Sequence, residues 1–168
     1  MNFSSERRWG TYVPRFFTMY ICEKNSAGLP VLKRVLTVSE GQILTTPDCV
    51  VDFLESREVL RPSRQMDEHF YTLCIRGESL VGIFISTGSM DACVAQTREI
   101  FRNALLCGAT SIICAHNHPG GTLKPSAQDR DVTRALADAG KLLCIPLKDH
   151  IIIGDTGSYY SFKREGML

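Results

Sequence analysis

Two histidines one residue apart, His116 and His118, followed by Ser126 and Asp129, make the densest group of metal-ligating side chains in the sequence. The histidines leave an apolar run, Ser111-Ile112-Ile113-Cys114-Ala115, and residues two apart on an extended strand project to the same side. One strand end therefore offers two imidazoles on one face. Pro119-Gly120-Gly121 breaks the strand, and the pattern from Ser126 reads as a helix start that sets Asp129 in the first turn. Two neutral imidazoles and a carboxylate are the ligand set of a catalytic zinc site, in which three protein groups leave one position for water. A cation so held acidifies water toward neutrality, which fits it to attack a carbonyl. Ser126, beside the ligand, has a hydroxyl that could donate to a developing oxyanion. Iron or manganese also suits such a donor set.

Each piece has a reading without metal. Ser126-Ala127-Gln128-Asp129 is a capping-box pattern, a serine at the N-cap with an acid three residues on, which alone explains both residues. The two roles are compatible, because a carboxylate has two oxygens. Cys114 shares the strand parity of His116 and His118, so it is either a neighbour of the metal or a buried packing residue. Asp149-His150 looks like a second catalytic pair, but it lies at the start of an apolar strand, where a histidine is more often a hydrogen-bonded structural residue.

The spacing His-x-His-x7-Ser-x-x-Asp over His116, His118, Ser126 and Asp129 resembles the signature of the JAMM metalloprotease superfamily, also called MPN or JAB. The local text His116-Asn117-His118-Pro119-Gly120-Gly121 is similar to its RadC branch, with Gly120 where that branch usually has serine. The resemblance extends to the flanks, Thr97 to Leu105 before the motif and Ala139 to Ile145 and Lys148 to Gly154 after it, and covers the chain from about Glu68 onward. It implies an α/β fold, a mixed β-sheet flanked by helices of cytidine-deaminase-like type, with zinc as cofactor. It also implies a glutamate from an earlier strand as the base that handles the water. Glu68, opening the apolar run Glu68 to Ile75, takes that role here. The competitor is Glu99, in the first turn of a helix expected over 98–107, where the helix dipole alone favours an acid.

The reaction so implied is hydrolysis of a peptide or isopeptide bond in a protein or peptide substrate not identified by the sequence. Two other classes stand beside it. A metal-dependent nuclease or phosphodiesterase, or a DNA-repair factor as the RadC name suggests, would want a second metal and a concentrated basic patch. A non-catalytic metal-binding interaction module would keep the fold without turnover.

The remaining elements have to position this motif. Residues 16–22 and 31–38 read as a hairpin around Asn25, Gly28 and Pro30, an accessory N-terminal segment over 1–40 ahead of a metallo-domain over 41–168. Thr46-Pro47 opens a helix to about Glu58 with Val50, Val51, Phe53 and Leu54 on its apolar face. Strands are expected at 68–75 and 79–86, followed by the small-residue stretch Ser86-Thr87-Gly88-Ser89, which could lie close to the site. A helix over 98–107 stops at Gly108, and a second, over 126–139, stops at Gly140. Strands at 143–147 and 150–153, broken at Lys148-Asp149, and a closing strand at 159–162 after the turn Gly154-Asp155-Thr156-Gly157 complete the sheet.

Composition narrows the partners. At 168 residues and 44% hydrophobic the chain suits one globular domain with a small appendage. The net charge of +1 comes from evenly spread residues, and the small group Arg57, Arg61 and Arg64 reads as a solvated helix end, so nucleic-acid binding draws no support beyond a family name. A helix-hairpin-helix module of the kind longer RadC relatives carry in front is not expected. With no secretory leader and no run of about 18 apolar residues, a cytoplasmic protein without membrane contact is expected. The seven cysteines, with no Cys-x-x-Cys pair, read as reduced and mostly buried thiols.

Overall fold

The computed structural model describes residues 17–24, 26, 30–38, 44–57, 60–87 and 93–168, with backbone alone for 17–24, 30–38 and 93–96. In chain order the elements are strands β1 (Phe17–Lys24) and β2 (Pro30–Val38), helix α1 (Pro47–Glu55), and strands β3 (His69–Arg76) and β4 (Ser79–Thr87). Helix α2 (Cys93–Leu106), strand β5 (Ser111–Asn117), helix α3 (Ala127–Leu142) and strands β6 (Leu147–Ile153) and β7 (Tyr159–Ser161) follow. Among the described residues the strands form one mixed sheet in the order β2-β1-β4-β3-β5-β6-β7. β1 runs parallel to β4 and β5 parallel to β6, while the other neighbours are antiparallel. The sheet flanked by helices, with an N-terminal hairpin, is the architecture expected; the hairpin extends the sheet itself, because β1 pairs with β4.

The central strands are apolar on both faces because both are covered, as in sheets that carry helices on each side. On one face Tyr71, Leu73 and Ile75 of β3, Ile83 and Ile85 of β4, and Ile113 and Ala115 of β5 pack against Val50, Phe53 and Leu54 of α1. On the other, Phe70, Cys74, Phe84, Ile112 and Cys114 pack against Ile100, Phe101 and Ala104 of α2 and Val132 and Leu136 of α3. The period of two in β5 decides what the motif can do. It turns His116 toward the side of α2 and α3 and Asn117 toward that of α1.

Four boundaries depart from expectation. α1 stops at Glu55, where the Ser56 hydroxyl takes the Phe53 carbonyl at 2.9 Å and its N–H bonds Asp52. α2 begins at Cys93, well before Arg98, because its buried second half anchors a helix that nothing in Thr97-Arg98-Glu99 interrupts. Glu99 is consequently inside the helix and not in its first turn. α3 runs through Gly140 to Leu142; a Cβ at Gly140 would lie 2.7 Å from the Ile145 carbonyl oxygen, so this glycine admits a close backbone approach and does not end the helix. Finally, the strand expected over 143–147 is not formed, since 143–146 turn from the end of α3, and Lys148-Asp149 is a bulge near the start of the single strand β6. The register slips there, and the buried Asp149 carboxylate accepts from His150 N at 2.8 Å, Ser161 Oγ at 2.7 Å and Lys163 N at 3.1 Å. Among the described residues no helix is long and apolar enough to cross a membrane.

Candidate metal centre

β5 ends at Asn117, but the ladder continues by one bond, from His118 N to the Ile153 oxygen at 2.9 Å. That bond keeps His118 in strand parity with His116, so both imidazoles face the same side. The chain then turns back at Gly121, whose N–H reaches the His118 oxygen at 2.9 Å. Its φ of 72° is the left-handed conformation that glycine adopts without strain, and a Cβ there would meet the Asp155 carboxylate at 2.8 Å. The short return brings the N-terminus of α3 under the imidazoles.

A capping box builds that helix end. Ser126 Oγ accepts from Asp129 N at 3.0 Å, and one carboxylate oxygen of Asp129 accepts from Ser126 N at 2.6 Å. Such caps contribute about 1 kcal/mol. The cap does not account for the second carboxylate oxygen, which lies 3.2 Å from His116 Nε2, while the capping oxygen lies 3.6 Å from His118 Nε2. The two Nε2 atoms are 3.0 Å apart.

These distances test whether a cation fits. A tetrahedral ion with bonds of 2.0–2.1 Å to nitrogen and oxygen needs ligand atoms about 3.3 Å apart; the two Nε2 atoms at 3.0 Å and the His116–Asp129 edge at 3.2 Å lie near that value, and one ligand atom from each of the three residues lies within 4.8 Å of the others. His118 Nδ1 lies 2.7 Å from the Thr122 carbonyl oxygen, which can only accept, so the ring proton sits on Nδ1 and Nε2 presents its lone pair to the centre. His116, His118 and Asp129 thus form a three-residue group that could hold a metal ion, and among the described residues it is the one such group.

Without a cation the cluster shares protons. Burial opposes ionisation of Asp129, but hydrogen bonds with His116, His118 and Ser126 overcome it and hold the carboxyl well below the usual carboxylate range. The hydrogen bond to Asp129 raises the pKa of His118, against burial, with help from the Thr122 carbonyl and from the charges of Asp129 and Glu68. A raised histidine pKa stabilises the fold fully below the unfolded value, about 6.5, and the contribution is lost as pH climbs through the folded value. Metal-stripped protein should therefore show a lower denaturation midpoint at pH 9 than at pH 6. Equal midpoints, or a rise, would remove the His118–Asp129 pair from the stability of the metal-free state.

Glu68 is half-buried and sits immediately before β3 rather than opening it. The β3–β5 register pairs Phe70 with His116, and continued by two residues it sets Glu68 level with His118. Its charge is felt at His118. Glu99 is engaged elsewhere, in ion pairs with Arg98 and Arg102 on its own helix. Ser126 is exposed at the helix end, with its oxygen accepting from Asp129 N and no acceptor for its hydroxyl among the described residues.

Two residues that the sequence reading left out of the site belong to its framework. Asn117, on the opposite side of β5 from His116, is buried and clamps the chain around Glu68: its Oδ1 accepts from His69 N at 2.7 Å and its Nδ2 donates to the Asp67 oxygen at 3.0 Å. His150, expected as a hydrogen-bonded structural residue, touches the cluster through His116, with Nε2 2.9 Å from His116 Nδ1 and Nδ1 2.6 Å from Thr133 Oγ1. Its strand position was legible; its contact with His116 required the parallel pairing of β6 with β5. Cys114 takes the packing role, fully buried with a thiol pushed up by burial. Of the described cysteines, Cys74 and Cys114 are buried, Cys49 and Cys107 half-buried and Cys144 exposed, and all are free thiols. Ser86 and Thr87 continue β4 beside Phe70 and His69, and Gly88 and Ser89 lie outside the described residues.

Similarity to known proteins falls on the same segment. Residues 44–167 match the family described as the RadC-like JAB domain. A UPF0758 protein of Trichlorobacter lovleyi is 40% identical over 126 residues, covering 74% of this chain and 53% of the relative. One from Halalkalibacterium halodurans is 38% identical over 149 residues, 84% of this chain and 61% of the relative, and one from Geotalea uraniireducens is 46% identical over 103 residues, 60% and 45% of the two chains. The chain thus spans about half the length of the curated relatives it matches. Because the match runs through β3, β5 and α3, the elements that carry or directly flank Glu68, the histidine pair and Asp129, fold and site lead to one statement: the chain belongs to the RadC-like JAB domain family.

Proposed function

We propose that this chain is a zinc-dependent hydrolase of the JAMM type that cleaves a peptide or isopeptide bond. Membership of the RadC-like JAB domain family supports the coarser class, a JAMM-like metal-dependent hydrolase. The observation that carries the reading is the convergence of three ligand atoms from β5, the residue beyond it and the start of α3, all within 4.8 Å of one another. His116, His118 and Asp129 would hold the ion. A cation bound there supplies Lewis acidity, acidifying water and polarising the scissile carbonyl.

The chain's own residues do the rest. Glu68 receives the proton of the attacking water and returns it to the leaving amine, so that an amide and water become an acid and an amine. Ser126, whose oxygen is occupied by Asp129 N, directs its hydroxyl proton to the oxyanion of the tetrahedral intermediate. A two-metal phosphodiester site would need a second ligand cluster, and the described residues hold none.

Elemental mass spectrometry of the purified protein should find one zinc per chain, and zinc-loaded protein should cleave members of a pool of linear and lysine-isopeptide-linked peptides. Iron or manganese in place of zinc would correct the cofactor. A protein that carries no metal and takes up none on incubation would remove the hydrolase reading and leave Ser126 to Asp129 as a helix cap.

A further inference from the structure

Behind His116, on the side away from the ligand cluster, three buried groups form a closed series of hydrogen bonds. Thr133 Oγ1 lies 2.6 Å from the backbone oxygen of Asp129 and 2.6 Å from His150 Nδ1. His150 Nε2 lies 2.9 Å from His116 Nδ1. His116 and His150 are fully buried and Thr133 nearly so. The ring of His150 is stacked on Phe162 at 5.1 Å and tilted against Phe70 at 5.5 Å, and Phe70 also stacks on His116 at 6.2 Å. Among the described residues these aromatic walls leave His150 with His116 and Thr133 as side-chain hydrogen-bond partners, and His116 Nδ1 with His150.

Two imidazoles joined by one hydrogen bond have a choice. Either His116 donates from Nδ1 to His150, or His150 donates from Nε2 to His116, and in the second case the remaining proton of His116 sits on Nε2, the atom that should bind the ion. The pair alone does not decide between them. Thr133 does. A hydroxyl has one proton and the Asp129 carbonyl has none, so Thr133 donates to that carbonyl and must accept from His150 Nδ1. A buried imidazole with no carboxylate among its hydrogen-bond partners is neutral and has a single ring proton; with that proton on Nδ1, its Nε2 can only accept. His116 must then donate from Nδ1, which reserves its Nε2, facing His118 and Asp129, for the ion, a bound cation replacing any proton that nitrogen shares with the carboxylate.

We propose that Thr133 and His150 are positioning residues that set the ring tautomer of His116, so that the backbone carbonyl of Asp129 dictates, through two side chains, the state of the nitrogen that its own carboxylate faces. The inference rests on the metal-centre reading above and adds to it a specific origin for the readiness of the site. Metal-bound histidines generally pass their second ring proton to a carbonyl, carboxylate or water. Here the acceptor is another imidazole, which has to be fixed in turn.

The test uses metal-stripped protein with nitrogen-15 histidines, in which NMR distinguishes a protonated from a bare ring nitrogen, and zinc affinity measured against a chelator. Wild type and Thr133→Ser should show His116 protonated at Nδ1. Thr133→Val, close in shape but without the hydroxyl, should free His150 to donate from Nε2, take the proton from His116 Nδ1, and weaken zinc binding by roughly 10- to 100-fold. A wild-type His116 bare at Nδ1 would overturn the proposal without any variant, as would a folded Thr133→Val protein with unchanged Nδ1 protonation and affinity. A role confined to packing would lower stability in the valine variant and leave the nitrogen spectrum alone, and so would also overturn it. If the wild-type spectrum is as expected and neither wild type nor variant binds zinc, the tautomer control stands and the metal-centre reading fails.

Discussion

His118→Ala and Asp129→Ala should each reduce the metal content from one ion per chain to background, with hydrolysis lost alongside, but only the second should weaken the metal-free fold substantially. The difference follows from where the two side chains sit. His118 is half-buried beyond the end of β5 and its position is held by its backbone bond to Ile153, which alanine keeps. Its removal deletes one ligand from a three-ligand set. Asp129 is 2% exposed and serves twice, as the partner of the imidazoles and as the reciprocal half of the capping box. Alanine there leaves Ser126 N without its acceptor and exposes the first turn of α3, a loss of about 0.5–2 kcal/mol, and it also takes from His116 and His118 their only carboxylate partner among the described residues. Elemental analysis reads the first effect, and denaturation of metal-stripped protein by urea reads the second. Retention of zinc by both folded variants would mean that the ion, if one is bound, sits elsewhere, and the carboxylate would be left with the cap alone.

The motif was legible before any coordinates because its parts are local: a strand parity, a Pro-Gly-Gly break and a helix start are written in adjacent residues. What the sequence could not express is set by pairing between distant segments. Asn117 looks inert between two histidines, since strand alternation points it away from the cluster; only the antiparallel register of β3 on β5 brings Asp67 and His69 within reach of its amide. His150 reads as the start of an apolar strand, and its role becomes visible when β6 pairs parallel to β5, with α3 supplying Thr133 from above.

The boundaries misread from sequence share a cause as well. Gly140 and Lys148-Asp149 are stop signals by composition, yet the glycine accommodates the Ile145 backbone and the aspartate is satisfied by β7 and the turn after it. Tertiary partners turned both apparent breaks into continuations. α2 shows the converse, since the residues that pack it, Ile100, Phe101 and Ala104, lie well beyond its first turn.

Glu68→Gln should lower kcat by about 10²–10⁴ while zinc content and fold remain those of wild type. The amide keeps the shape and removes the basic oxygen, and Glu68 lies outside the three-ligand cluster, so loss of turnover with metal retained separates base from ligand. Glu99→Gln should leave turnover unchanged, because that carboxylate is held by Arg98 and Arg102 on α2. The clamp gives the sharper comparison. Asn117→Ala removes both bonds that bracket Glu68 and should lower kcat by a smaller factor with zinc still bound, at a stability cost of about 1–3 kcal/mol for buried groups left unpaired. If Asn117 acts through Glu68, the double variant Glu68→Gln, Asn117→Ala should be no slower than Glu68→Gln alone, since a misplaced base costs nothing once the base is gone. Losses that multiply in the double variant would show that Asn117 supports the reaction by some other route. A Glu68→Gln enzyme with wild-type kcat on a substrate the protein cleaves would place the proton transfer on a different group.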